Sequence, residues 1–275
     1  MKLNNPELVK LRGWRWSDHE SRGMGDDEKI VLGVSDLDTL GEGRYLNDQI
    51  IAFYFNYLFS NLDDESKPVT RLVSPSMSLL IANCRDDEGV KEFVESMSSK
   101  RVVVFVVNDN EDFSAGDGGN HWSTLVYDRT KNMFLHFDSQ GFSMEGVGRE
   151  GVNNFYALKL YDAVKEHVGP GGEVARLQTS SSLKKQRNKK KSVMSLTGAG
   201  AGLPVFKECE TPEQTNNYDC GLYVLAIAKE ICRWCSRGHN KSDIVSTIKK
   251  NVDSSVEQRM REEVLKIVEG KLVDS

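Results

Sequence analysis

Apolar residues recur at helical spacing in several stretches of the chain. After Asn47, a residue suited to an N-cap, Ile50, Phe53, Tyr54, Tyr57 and Leu58 fall on one stripe and predict a helix over 47–60. Val90, Phe93, Val94 and Met97 predict another over 87–98, and Leu158, Tyr161, Val164 and Val168 a third over 153–168. Two more close the chain, at 242–252 on Ile244, Ile248 and Val252 and at 254–268 on Val256, Met260, Val264 and Ile267. Strand patterns lie between them: the unbroken apolar run 102–107, then 121–128, then 133–138, where Met133, Leu135 and Phe137 alternate with Phe134 and His136. A mixed central sheet surrounded by helices, an α+β architecture, follows.

Two stretches lack such a pattern. Residues 1–28 combine Gly, charge and turn-prone residues and read as an N-terminal extension, despite Trp14 and Trp16. Residues 169–202 are Gly- and Ser-rich, carry the block LKKQRNKKK and have no apolar stripe, so they read as a flexible insertion. The Lys block reads first as a solvated loop and second as a nuclear-import or acidic-partner patch. The expected organisation is one domain over 29–270 interrupted by that insertion.

Overall balance narrows the function classes. With 41 acidic against 36 basic residues the net charge is −5, so there is no general basic excess of the kind that follows a phosphate backbone. No stretch approaches the roughly 18 apolar residues of a membrane span, and no hydrophobic leader follows the first residues. A cytoplasmic or nuclear protein, monomeric by default, is expected. The five cysteines, an odd number scattered along the chain, argue for reduced thiols rather than a disulfide framework. Cys232 and Cys235 form a C-x-x-C with His239 beyond, but a structural zinc site wants a second pair of ligands, and small buried apolar residues are the better reading. No metal or cofactor is expected.

Candidate chemistry begins at the hairpin of the last two strands. A tight turn at Arg129 and Thr130 would place His121 opposite Asp138, and a looser four-residue loop would place Asp138 opposite Ser123. Either register keeps His121 and Asp138 on one side of the sheet, where the carboxylate can orient the imidazole. His121 follows Gly118-Gly119-Asn120 at the mouth of its strand and is expected to reach solvent, as suits a base. His136, between Phe134, Leu135 and Phe137, reads as a satisfied core histidine. The segment QTNNYDCGLYVLAIAKEI leads from polar turn residues into a helix apolar nearly all round, hence buried. Cys220 stands in its first turn, where free backbone N–H groups and the macrodipole favour a thiolate, and a neighbouring imidazolium favours it further. Gln214, six residues before Cys220, can offer an amide to a developing oxyanion.

The segments RYLNDQIIAFYFNYL (44–58), RVVVFVVNDN (101–110), GNHWSTLVYD (119–128), MFLHFDSQG (133–141) and QTNNYDCGLYV (214–224) together resemble the Ulp/sentrin-specific cysteine protease family, most of all its deneddylase branch. The resemblance spans about 29–268. It implies a circularly rearranged papain-like fold with Cys220 as nucleophile, His121 as base, Asp138 as its orienter and Gln214 as oxyanion donor. It also implies that a modifier's Gly-Gly tail threads a tunnel roofed by Trp122, with Tyr45, Asn47 and Asp48 as further substrate-binding residues. Tyr45 stands where the family usually has Trp, which widens the expected tunnel. The long loop 108–120 and the YDCG form of the nucleophile motif favour the deneddylase branch over SUMO proteases; the extension and the insertion depart from the family core.

The expected activity is removal of a ubiquitin-like modifier, first of all the neddylation modifier, from lysine conjugates such as cullins, together with trimming of its precursor after Gly-Gly. The alternatives are a SUMO protease, a deubiquitinase of the same clan, or an inactive module that only holds a ubiquitin-like partner. Acetyltransferases of the clan typically carry Glu where this chain has Asp138.

Overall fold

The apolar run at 102–107 lies inside the main sheet of the structure, a computed structural model that describes residues 30, 32–84, 87–110, 118–144, 148–168, 202–237 and 243–273. Strands β1 (Thr70–Leu72), β2 (Val102–Asn108), β3 (Trp122–Asp128) and β4 (Met133–Phe137) precede a separate hairpin of β5 (Gly141–Met144) and β6 (Gly148–Gly151); β7 (Val205–Cys209) follows. The main sheet runs in the order β1-β2-β3-β4-β7. Its two inner pairs, β2 with β3 and β3 with β4, are antiparallel, and its two outer pairs are parallel, the mixed sheet expected. The helices are α1 (Val34–Asp38), α2 (Asp48–Ser60), α3 (Pro75–Asn83), α4 (Glu88–Ser96), α5 (Asn154–Val168), α6 (Cys220–Ser236), α7 (Ile244–Asn251) and α8 (Val256–Val273).

An unbroken apolar strand run must be covered on both faces, and residues 102–107 of β2 are. Val102, Val104 and Val106 join Val126, Leu135 and Phe137 in a core completed by α2, α6, α7 and α8. Val103, Phe105 and Val107 join Leu125, Tyr127 and Phe134 against Ile81, Val94, Leu160 and Val164 from α3, α4 and α5. Each such side chain, removed fully from water, contributes about 1.5–3 kcal/mol before chain entropy is set against it.

The β3–β4 connection takes the looser of the two alternatives. Asp128 pairs with Met133, leaving residues 129–132 as the loop. Asn132 adopts φ 50°, which its short polar side chain tolerates, and Asp128 Oδ1 accepts from the Thr130 N–H at 2.9 Å. Continuing that register brings Asp138 opposite Ser123. The structure adds α1, β1, α3, β7 and the β5–β6 hairpin to the expected elements, and it extends the last helix to Val273. The expected extension at 1–28 and, save Gly202, the insertion at 169–202 lie outside the described residues.

Candidate active site

Antiparallel pairing puts the start of β3 and the end of β4 at the same edge of the sheet, so His121, just before β3, meets Asp138, just after β4. His121 Nε2 lies 2.6 Å from Asp138 Oδ1. The carboxylate is fixed on its other side: Oδ1 also accepts from the Gln140 N–H at 2.8 Å, and Oδ2 accepts from the Asn153 N–H at 2.9 Å. The imidazole is fixed through its backbone. The His121 N–H donates to Asp109 Oδ1 at 2.9 Å, and its carbonyl accepts from the side-chain amides of Asn108 and Asn153, each at 3.1 Å.

These ties draw His121 inward, and its expected exposure is corrected: it is only 3 % exposed. Cys220 is wholly buried at the start of α6, where its neighbour Gly221 packs against Leu46; a Cβ on Gly221 would stand 2.9 Å from Leu46 Cβ. His121 Nδ1 is buried without a closed hydrogen bond, and the Cys220 thiol is near enough to act on the ring, so Nδ1 is the atom left to face sulfur.

Burial alone would lower the His121 pKa, but the hydrogen bond to Asp138, the nearby Cys220 thiol and the charges of both outweigh it and raise it to about 10. Burial would raise Asp138, yet the hydrogen bond and charge of His121, the charge of His136 and the Asn153 N–H hold its carboxyl below the usual range. Carboxylate, imidazole and thiol thus follow one another, an arrangement that can serve as orienter, acid–base group and nucleophile.

Gln214 sits one step away. Its backbone N–H donates to the Ser139 carbonyl at 3.1 Å, and its Oε1 accepts from Ser139 Oγ at 2.7 Å, tying the loop before Cys220 to the residue beside Asp138. One Nε2 hydrogen goes to the Asn216 carbonyl; an amide carries a second. Trp122 is half-buried and donates from Nε1 to the Leu46 carbonyl at 2.9 Å, which brings it to the segment of Tyr45, itself 47 % exposed. Asn47 is occupied by the fold. Its Oδ1 caps α2 on the Ile50 N–H at 3.1 Å, and its Nδ2 donates to Asp36 at 2.7 Å. Asp48 is half-buried in the first turn of that helix.

His136 is the satisfied core histidine expected, bonded to Ser123 Oγ at 2.9 Å and Glu208 Oε2 at 2.7 Å. Cys232 and Cys235 are buried apolar contributors of α6, and His239 lies outside the described residues. Two site residues escaped sequence reasoning. Asn153, wholly buried, bridges Asp138 and His121, and Gly151 leaves room for the carboxylate, because a Cβ there would stand 2.7 Å from Asp138 Oδ2. A Gly followed closely by an Asn before a helix is too common a signal to find them.

The site is thus of the thiol-protease kind. The chain is 32% identical over 254 residues to NEDD8-specific protease 1 of Arabidopsis thaliana, covering 90% of this chain and 93% of that protein. It belongs to the Ulp/sentrin-specific cysteine protease family. The human sentrin-specific protease 8 is 27% identical, with 74% of this chain and 78% of that protein covered. Among solved structures, the C-terminal Ulp1 protease domain in complex with Smt3, the yeast SUMO, matches with a TM-score of 0.51 at 18% identity over 95% of this chain and 93% of that one. No protein-family model matches. No helix among the described residues is long and apolar enough to cross a membrane.

Proposed function

We propose that this enzyme removes the modifier NEDD8 from lysine conjugates, cullins among them, and trims its precursor after Gly-Gly. The Cys220 thiolate attacks the terminal Gly carbonyl carbon, and the developing oxyanion takes a hydrogen bond from Gln214 and one from a backbone N–H at the start of α6. His121 passes its proton to the leaving lysine amine as the C–N bond breaks and a thioester forms. Water, deprotonated by His121, then attacks the thioester, the C–S bond breaks, and the modifier leaves with a free carboxylate. Asp138 holds the ring and its charge throughout. The Gly-Gly tail runs past Trp122 and the 45–48 segment, where glycine brings no side chain to be accommodated.

The carrying observation is the 2.6 Å His121–Asp138 contact, with the Cys220 thiol near the same ring and the buried Nδ1 taken by no other hydrogen bond. Preference for NEDD8 rests on the names of the relatives matched over most of the chain. SUMO is the second reading, because the Ulp1 domain that shares the fold was captured with the yeast SUMO. The test uses NEDD8, SUMO and ubiquitin, each bearing a C-terminal electrophile and, separately, a fluorogenic amide. Labelling that vanishes in Cys220→Ser and the highest kcat/KM on NEDD8 are expected, with Gln214→Ala about 10²-fold slower. Better cleavage of SUMO overturns the choice of modifier, and tight binding without labelling overturns the enzyme in favour of a binding module.

A further inference from the structure

The apolar stripe of α8, Val256, Met260, Val264 and Val268, enters the core behind the nucleophile's helix. Beside it runs a second, charged pair one residue on, Glu257 and Arg261, four residues apart and therefore on one face. Both carry more hydrogen bonds than an exposed helical charge needs.

Arg261 is 9 % exposed, and every guanidinium nitrogen is engaged. Nε and Nη2 both donate to Asp219 Oδ1, the residue before Cys220. Nη1 donates to the carbonyls of Thr39 and Gly41 at 3.1 and 3.0 Å, and Nη2 also donates to that of Arg44 at 2.6 Å. Those carbonyls lead directly into Tyr45 and Leu46, and Leu46 packs on Gly221 and accepts from Trp122. Glu257 holds the other end of the same loop. It accepts from the Thr215 N–H and Oγ1 at 2.6 and 2.5 Å, from Asn216 Nδ2 at 3.3 Å and from the Tyr223 hydroxyl at 3.0 Å. Within the loop, Asn216 Oδ1 accepts from the Tyr218 and Asp219 N–H groups, both at 3.0 Å, and Asn216 Nδ2 donates to Asp219 Oδ2 at 2.7 Å.

We propose that Glu257 and Arg261 form a clamp by which the C-terminal helix positions the 214–219 loop, and with it the oxyanion donors beside Cys220 and the facing 44–46 segment. Neither touches the reacting atoms; both are positioning residues. A salt bridge formed only for stability has no need to reach the backbone of two segments flanking a nucleophile, and a buried pair of this kind is weak as a stabiliser because desolvation offsets its attraction. Its benefit is geometry: an oxyanion donor displaced by a fraction of an ångström loses most of its effect.

The inference rests on the proteolytic reading for its effect on rate, but the clamp itself is measured without substrate. Arg261→Met, Arg261→Lys and Glu257→Gln are compared with wild type. For Arg261→Met, kcat per alkylatable thiol on the modifier amide is expected to fall about 10²-fold with little change in KM, as for loss of an oxyanion donor. Affinity for a modifier ending in an aldehyde, whose adduct needs the same donors, falls in parallel. Arg261→Lys rescues only part, lacking the fork. Glu257→Gln, the milder change, accelerates amide exchange at 215–219 in the folded protein and lowers kcat by a smaller factor, which keeps the question open to refutation where Arg261→Met fails to fold. An unchanged kcat per active thiol with unchanged exchange at 215–219 overturns the clamp. If the wild-type chain cleaves none of the modifiers, the proteolytic reading falls instead, and the clamp is judged by loop exchange alone.

Discussion

Asp138 is the most constrained side chain of the site, wholly buried yet ionised, with His121, Gln140 and Asn153 all directing hydrogens at it. Its replacement by Asn keeps the shape and removes the charge that holds the imidazolium, so kcat should fall roughly 10²–10⁴-fold with the fold intact. The same contact makes stability depend on pH. The folded His121 pKa, about 10, lies above its ordinary 6.5, so the folded state binds this proton more tightly. The resulting stabilisation is fully present below pH 6.5 and is lost as pH rises through about 10, while Asp138 stays ionised across the window. Melting temperatures of wild type and Asp138→Asn should therefore converge between pH 6.5 and pH 10. A gap that widens with pH would contradict this assignment of the charge.

At the scale of elements, the turn into α2 shows how one residue serves a helix and a neighbouring segment together. Asn47 caps α2 with its oxygen and reaches Asp36 of α1 with its nitrogen, and Asp36 Oδ2 in turn accepts from the Gly33 N–H at 2.6 Å. Asn47→Ala should cost about 1 kcal/mol of stability, read as a shift in denaturant midpoint, and Asn47→Ser should recover the capping but not the bond to Asp36. A change in KM larger than the loss of folded protein explains would instead mark Asn47 as a direct contact of the modifier's tail. Such elements were legible where a strong period met a cap, as in α2 and in α4 after Asp87, or where apolar residues ran unbroken, as in β2. The edge strand β7 was not, because two of its five residues are exposed and Lys207 and Glu208 interrupt the apolar run; β1 is too short to carry a period. His121, Asp138 and Cys220 were legible because hairpin parity and a helix start are local. Asn153, Gly151, Glu257 and Arg261 were not, because their partners are brought near only by the tertiary fold. His121's burial was missed for the same reason, its ties reaching back to Asn108 and Asp109 and forward to Asn153.

For the molecule as a whole, three helices distant in sequence meet at Glu263, and this junction separates what holds the fold from what positions the site. The Tyr54 hydroxyl of α2 donates to Glu263 Oε1 at 2.6 Å, and Lys229 of α6 donates to Oε2 of the same carboxylate on α8. Burial would raise the Glu263 carboxyl, but the Lys229 and Tyr54 hydrogen bonds keep it below its usual range. Glu263 lies two residues from Arg261 on α8, and its two hydrogen-bond partners, Tyr54 and Lys229, lie outside both the 214–219 loop and the 39–46 segment. Glu263→Ala leaves the buried Tyr54 phenol and the part-buried Lys229 ammonium without their acceptor, at about 1–3 kcal/mol. It should lower the unfolding midpoint in a single transition, since both cores share the main sheet, while kcat and KM per active thiol stay at the wild-type values. Arg261→Met on the same helix should lower the midpoint as well, since it leaves the buried Asp219 carboxylate without its partner, but it should also lower kcat per active thiol, which Glu263→Ala leaves unchanged. If the two variants lose rate in the same proportion to their loss of stability, α8 acts on the site only by holding the fold together, and the distinction between its two charged positions disappears.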